Sequence, residues 1–155
     1  RPVEVNRLLV KSINLKEKKL SVKTKTNKLK TKIIPDILLQ ELPDLSQLNQ
    51  DNYLFTPNGL GLEWVAEENN RRDSFSKRFK TVIKDHFNLG SEYGLYSFRH
   101  TFITKLYRNL RENKSPHETK GILMNITGHV TMDALEKYLR DIDAELPEDY
   151  SNLFR

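Results

Sequence analysis

The chain has 155 residues, 37% hydrophobic and 30% charged, with a net charge of +5 and no cysteine. That length suits one domain with a buried core. No apolar run approaches the ~18 residues of a membrane span, no secretory signal pattern opens the chain, and disulfides and thiolate metal sites are excluded, in keeping with a reducing compartment.

Charge is unevenly spread. Residues 1–35 carry 11 Lys/Arg against 2 acids, whereas residues 141–155 carry 5 acids against Arg155. A basic segment of that density is an electrostatic footprint for a polyanion, DNA or RNA. The acidic tail is repelled by phosphate, and with Leu146, Leu153 and Phe154 as apolar anchors it is expected to pack on a neighbouring protomer.

In chain order, residues 1–10 predict a helix with Val5, Leu8 and Leu9 on its apolar side. Residues 19–25 and 29–35 alternate apolar with polar and predict a hairpin through Thr26-Asn27-Lys28. Leu20 and Val22 should face the core, with Lys23 and Lys25 on the other side. A short helix is expected at 36–41. Residues 43–73 are irregular, broken by Pro43, Pro57, Gly59 and Gly61, with a possible strand at 53–55.

From about Ser74, the residues Phe75, Phe79, Val82, Ile83 and Phe87 recur at helical spacing. A second helix, about 97–113, carries Phe98, Phe102, Ile103, Leu106 and Leu110. Ser115-Pro116-His117-Glu118 reads as a capped helix start, Ser at the N-cap and Glu closing a capping box, for a helix ending near Asn125. The last helix is expected at about 132–140 with the stripe Met132, Leu135 and Leu139. The fold class is α+β, mostly helical, with a small antiparallel sheet, in a single domain over 1–155.

Two motifs carry chemistry. Tyr96-Ser97-Phe98-Arg99-His100-Thr101-Phe102 is followed by Gly128-His129, with Tyr138 nine positions after His129. Cleaving a phosphodiester without metal needs a nucleophile, cations on the non-bridging oxygens and an acid for the leaving 5′-oxygen. Tyrosine suits the first role. Arginine suits the second, because its planar fork grips two oxygens and stays charged. Tyr138 also fits as an amphipathic core tyrosine three residues after Leu135, and Arg99 as a surface residue at a helix start. His86 and His117 fit no motif, and no carboxylate–histidine cluster has metal-ligand spacing, so no metal or other cofactor is expected.

Taken together these residues resemble the catalytic domain of the tyrosine recombinases, the phage integrase family. His129 and Tyr138 match its "GH…Y" signature. Arg99 and His100 match its "HxxRHT" box, in which Tyr96 replaces the first histidine, and Arg1 with Glu4 matches its first arginine box, "RxxE". The resemblance implies a tyrosine-recombinase catalytic fold that lacks its N-terminal core-binding domain and the start of the catalytic domain. It implies Tyr138 as nucleophile, Arg1 and Arg99 as phosphate clamps, and His129 as a hydrogen-bond donor to a phosphate oxygen. Tyr96 would contact the phosphate, though a phenol is a poor base at neutral pH. Glu4 and His100 are implied as supporting residues. The acid would be a hairpin lysine, Lys25 or, two residues earlier, Lys23, with Lys23, Lys28 and Lys30 among those binding the DNA backbone.

The implied function is site-specific strand exchange on double-stranded DNA through a 3′-phosphotyrosine, in integration or excision of a mobile element. It would be carried out by a homo-tetramer in a prokaryotic cytoplasm, at the nucleoid. Two alternatives stand beside it: relaxation of supercoils in the manner of a type IB topoisomerase, and a non-catalytic DNA-binding module of the same fold.

Overall fold

In the computed structural model, which describes residues 1–139, the chain is mixed α and β, with six α-helices and two small antiparallel sheets among those residues. Arg1–Leu95 forms one compact unit, and the chain from Tyr96 onward forms another.

The first unit opens with α1 (Pro2–Asn6). Proline at the first helical position presets φ and needs no N–H partner, and Glu4 in the first turn complements the helix dipole. The helix ends at Asn6, four positions before Val10, where a 3-10 turn (Val10–Ser12) takes over. The reason is a non-local competitor: Val10 N–H donates to Asn52 O at 2.9 Å, and Leu54 N–H donates to Leu8 O at 2.8 Å. Leu8 and Val10 are thereby buried with Val22, Leu45 and Leu54, while Val5, expected on the apolar side, is exposed.

The predicted hairpin is present, with a short extra strand before it. Strands β1 (Ile13–Asn14), β2 (Lys19–Lys23) and β3 (Leu29–Ile33) pair antiparallel in that order, with Val22 opposite Lys30 and Lys23 opposite Leu29. Val22 is buried and Leu20 packs against the same core. The strand ends at Lys23, so Lys25 stands exposed in the turn and not on a strand face shared with Lys23. Asn27 closes the turn at φ 61°, a left-handed conformation that asparagine tolerates. Its N–H reaches Thr24 O at 2.9 Å.

After α2 (Asp36–Leu39), the irregular stretch resolves into a second hairpin, β4 (Tyr53–Thr56) with β5 (Gly59–Leu62). Gly59 and Gly61, expected to break structure, are strand residues at φ 146° and 67°. Thr56 Oγ1 ties the turn by donating to Gly59 O at 2.9 Å. Helix α3 (Glu68–Phe79) starts well before Ser74, over a polar stretch without periodicity, and continues as a π-helical turn, Lys80–Lys84. Phe79 is buried, but Val82 and Phe87 of the expected stripe are exposed.

The second unit contains α4 (Leu95–Arg111), α5 (Pro116–Thr127) and α6 (Met132–Glu136). Its core is Ile103, Tyr107, Leu123, Leu135 and Leu139, with Leu106, Leu110 and Met132 packed against it. Phe98 and Phe102 are more than half exposed, at 56% and 52%, so the buried stripe of α4 is narrower than its apolar pattern. Ser115 caps α5 by accepting from Glu118 N–H at 3.3 Å. The Glu118 carboxylate accepts from Lys114 Nζ at 3.0 Å, so the capping box is half made. The last helix ends at Glu136, not near Arg140. Among the described residues no helix is long and apolar enough to cross a membrane. The acidic tail and its expected packing lie outside the described residues.

Candidate active site

Three separate pieces of the second unit bring Arg99, His100, His129 and Tyr138 together. Arg99 and His100 lie in the second turn of α4. His129 follows Gly128, which ends α5 at φ 73°, ψ 27°, so the chain turns back over the end of the helix it has just left. Tyr138 follows α6, whose start is fixed by Thr131 Oγ1 accepting from Ala134 N–H at 3.3 Å. Tyr138 is pinned on both sides: Leu135 and Leu139 are buried in the core, and Tyr138 itself packs against that core. The amphipathic reading of this tyrosine is thus what the packing shows.

The rings cluster at tilted angles, 44° between His100 and Tyr138 and 41° between His129 and Tyr138. The Tyr138 ring lies 4.6 Å from His100 and 5.2 Å from His129, and the Arg99 guanidinium carbon lies 5.5 Å from the Tyr138 centroid. Arg99 Nη2 donates to Thr127 O at 3.2 Å and sits 3.1 Å from His129 Nε2. On the far side of the imidazole, Nδ1 is 2.8 Å from Thr127 Oγ1. Arg99 Nε is buried without a hydrogen-bond partner among the described residues. A buried, unmatched donor on a cation costs about 1–3 kcal/mol or more, and an anion relieves that cost directly. Tyr96 lies one turn before Arg99 on α4 and is half exposed.

The first unit holds the other candidates. Glu4 is buried, and Arg1 Nη1 donates to its Oε1 at 2.9 Å. Burial opposes ionisation of this carboxyl, but the hydrogen bond and the positive charge of Arg1 prevail and hold its pKa below the ordinary carboxylate value. Lys23, Lys25, Lys28 and Lys30 are all exposed. Lys23 and Lys30 leave opposite faces of the sheet, since each sits across from a residue of the other's strand one register step apart.

Sequence pattern missed two residues that organise these groups. Arg7 Nη1 donates to Thr24 O at 2.7 Å and to Asn27 Oδ1 at 3.2 Å, anchoring the turn that carries Lys25. Its Nε and Nη2 grip Glu68 at 2.8–3.2 Å. The Arg7 hydrogen bond lowers the Glu68 pKa from its ordinary value. The second is Thr127, buried between α5 and His129. Neither residue has a periodic signature, since the partners of Arg7 are 17 to 61 positions away.

No family model matches the chain, and the comparisons found no similar curated protein or solved structure.

Proposed function

We propose that the chain is the catalytic part of a site-specific DNA recombinase, a strand transferase that works through a 3′-phosphotyrosine. The observation that carries the proposal is the buried Arg99 Nε, without a hydrogen-bond partner among the described residues, beside the packed Tyr138 and His129 rings. A cation with one unmatched donor, next to a phenol held in place by the core, fits a site for a phosphodiester awaiting attack. The basic first 35 residues and their exposed hairpin lysines support double-stranded DNA as the substrate.

In the proposed step Tyr138 Oη attacks phosphorus, the Oη–P bond forms and the P–O5′ bond breaks. Arg99, with Arg1 as its proposed partner, holds the non-bridging oxygens. Lys25, or Lys23, gives a proton to the 5′-oxygen, and a second DNA end reverses the reaction. Assembly as a homo-tetramer on two duplexes, and use in integration or excision, belong to the same proposal.

The test is covalent capture. The full chain is incubated with a pool of nicked duplexes of randomised sequence, and DNA that survives denaturing extraction as a protein adduct is recovered and sequenced. Wild type is expected to yield adducts enriched in a common site, and Tyr138→Phe none, with its DNA binding intact. Binding without any wild-type adduct would instead establish a non-catalytic DNA-binding module. Adduct formation by the Phe variant would show that another residue is the nucleophile.

A further inference from the structure

Thr127 is the most constrained polar group of the site. It is buried, and its hydroxyl donates to Leu123 O, one helical turn back, at 2.6 Å. A hydroxyl has a single hydrogen. With that hydrogen directed at Leu123, Thr127 Oγ1 can only accept from His129 Nδ1, 2.8 Å away. Nδ1 therefore carries a proton. Across the ring, Nε2 lies 3.1 Å from Arg99 Nη2. A guanidinium nitrogen donates and never accepts, so Nε2 supplies a lone pair. Both contacts specify the same species: a neutral imidazole with its proton on Nδ1.

We infer that Thr127 is a positioning residue that fixes His129 in the Nδ1–H tautomer, and that His129 Nε2 is thereby the proton acceptor for the Tyr138 phenol. The second half rests on the proposed strand-transfer reaction. A neutral His129 so held has no Nε2–H to offer a phosphate oxygen, which reverses the donor role expected from sequence. When Arg99 turns its N–H groups to the phosphate, the Nε2 lone pair is released beside Tyr138, whose ring centre is 5.2 Å from that of His129.

The step then balances. The Oη–P bond forms, the phenol proton passes to Nε2, and the electron pair of the broken P–O bond leaves with the 5′-oxygen, which takes its proton from the hairpin lysine. Thr127 Oγ1 accepts the Nδ1–H before and after the transfer, so the imidazolium keeps its anchor. Tyr96 is a phenol and a poor base near neutrality. His100 lies tilted against the Tyr138 ring and is exposed to solvent.

Two measurements decide the inference. The first needs no DNA: long-range nitrogen–proton NMR of the histidine rings in the labelled full chain, at about pH 8, above the ordinary imidazole pKa. His129 is expected to carry its proton on Nδ1. In Thr127→Val that preference should be lost, and in Thr127→Ser, which keeps the hydroxyl, it should return. An Nε2–H tautomer in wild type overturns the assignment.

The second is adduct yield from the randomised nicked duplexes. His129→Gln places an amide donor where Nε2 was but cannot take a proton, so the yield should fall on the order of 10²-fold or more. A yield near wild type means that His129 is a donor after all, and loss in His100→Gln alone moves the acceptor to His100. Absence of adduct in wild type overturns the strand-transfer reading and the acceptor role with it, while the NMR result still decides what Thr127 does.

Discussion

Arg7 and Glu68, 61 positions apart, form a forked ion pair in which Nε and Nη2 reach the carboxylate at 2.8–3.2 Å. The same guanidinium holds the Thr24–Lys28 turn through Thr24 O and Asn27 Oδ1. One side chain thus ties the start of α3 to the turn that carries Lys25. Glu68 is 45% exposed, so the pair itself contributes little, about 0–1 kcal/mol. The bonds to the turn matter more for position. Arg7→Ala should lower stability by roughly 1–2 kcal/mol, and amide exchange at Asn27 and Lys28 should quicken more than in β2. Arg7→Lys should not restore slow exchange, because an ammonium cannot serve both partners in this geometry. Unchanged exchange in Arg7→Ala would remove the anchoring role.

Arg99 should not tolerate its closest replacement. An ammonium on a shorter reach supplies no fork and leaves both Thr127 O and His129 Nε2 without their donor. Arg99→Lys and Arg99→Ala are both expected to reduce adduct yield by on the order of 10²-fold or more. Full activity of the lysine variant would count against a two-oxygen grip on phosphate.

Under the proposed reaction, a lysine acting as acid should be separable from lysines that only bind the DNA backbone. A substrate with sulfur in the 5′-bridging position leaves without a proton, so it should restore cleavage to Lys25→Ala. Rescue of Lys23→Ala instead would place the acid at the last residue of β2. Lys28→Ala and Lys30→Ala should weaken DNA binding and flatten its salt dependence, with no rescue by sulfur.

Gly128 is expected to be intolerant of any side chain. At φ 73° a Cβ meets the following carbonyl, which costs about 1–2 kcal/mol. Gly128→Ala should therefore lower the urea midpoint. It should also lower adduct yield beyond the stability loss, because His129 takes its direction from this turn. A destabilised variant with unchanged yield per folded molecule would separate the two roles.

Acid should weaken the first unit through Glu4. Its folded pKa lies below the ordinary 4.5, so its contribution is present above that value and disappears as pH falls through the lowered one. Urea unfolding from about pH 6 to about pH 3 should show wild type losing stability more steeply than Glu4→Gln at the acid end. Glu68, lowered in the same direction, adds to the slope in both proteins and cancels in the comparison.

The sequence by itself determined what rests on neighbours a few positions apart. Alternation in 19–33 set the first hairpin and buried Val22, and Ser115-Pro116 fixed the start of α5. The spacing of Gly128, His129 and Tyr138 located a turn and a core-facing tyrosine, which the second unit does place beside Arg99. Tertiary structure alone decided what depends on distant partners. Leu8 and Val10 leave the helix because residues 52–54 compete for their backbone hydrogen bonds. Gly59 and Gly61 become strand because the preceding segment offers a partner, Leu60 pairing with Phe55 and Leu62 with Tyr53, and α3 begins in a stretch with no apolar period at all. The tautomer of His129 was equally illegible, because it is set by a hydroxyl whose own hydrogen is directed one turn back along α5. Periodicity reports which face of an element is apolar; it carries no record of which polar atom, far along the chain or across a turn, completes a hydrogen bond.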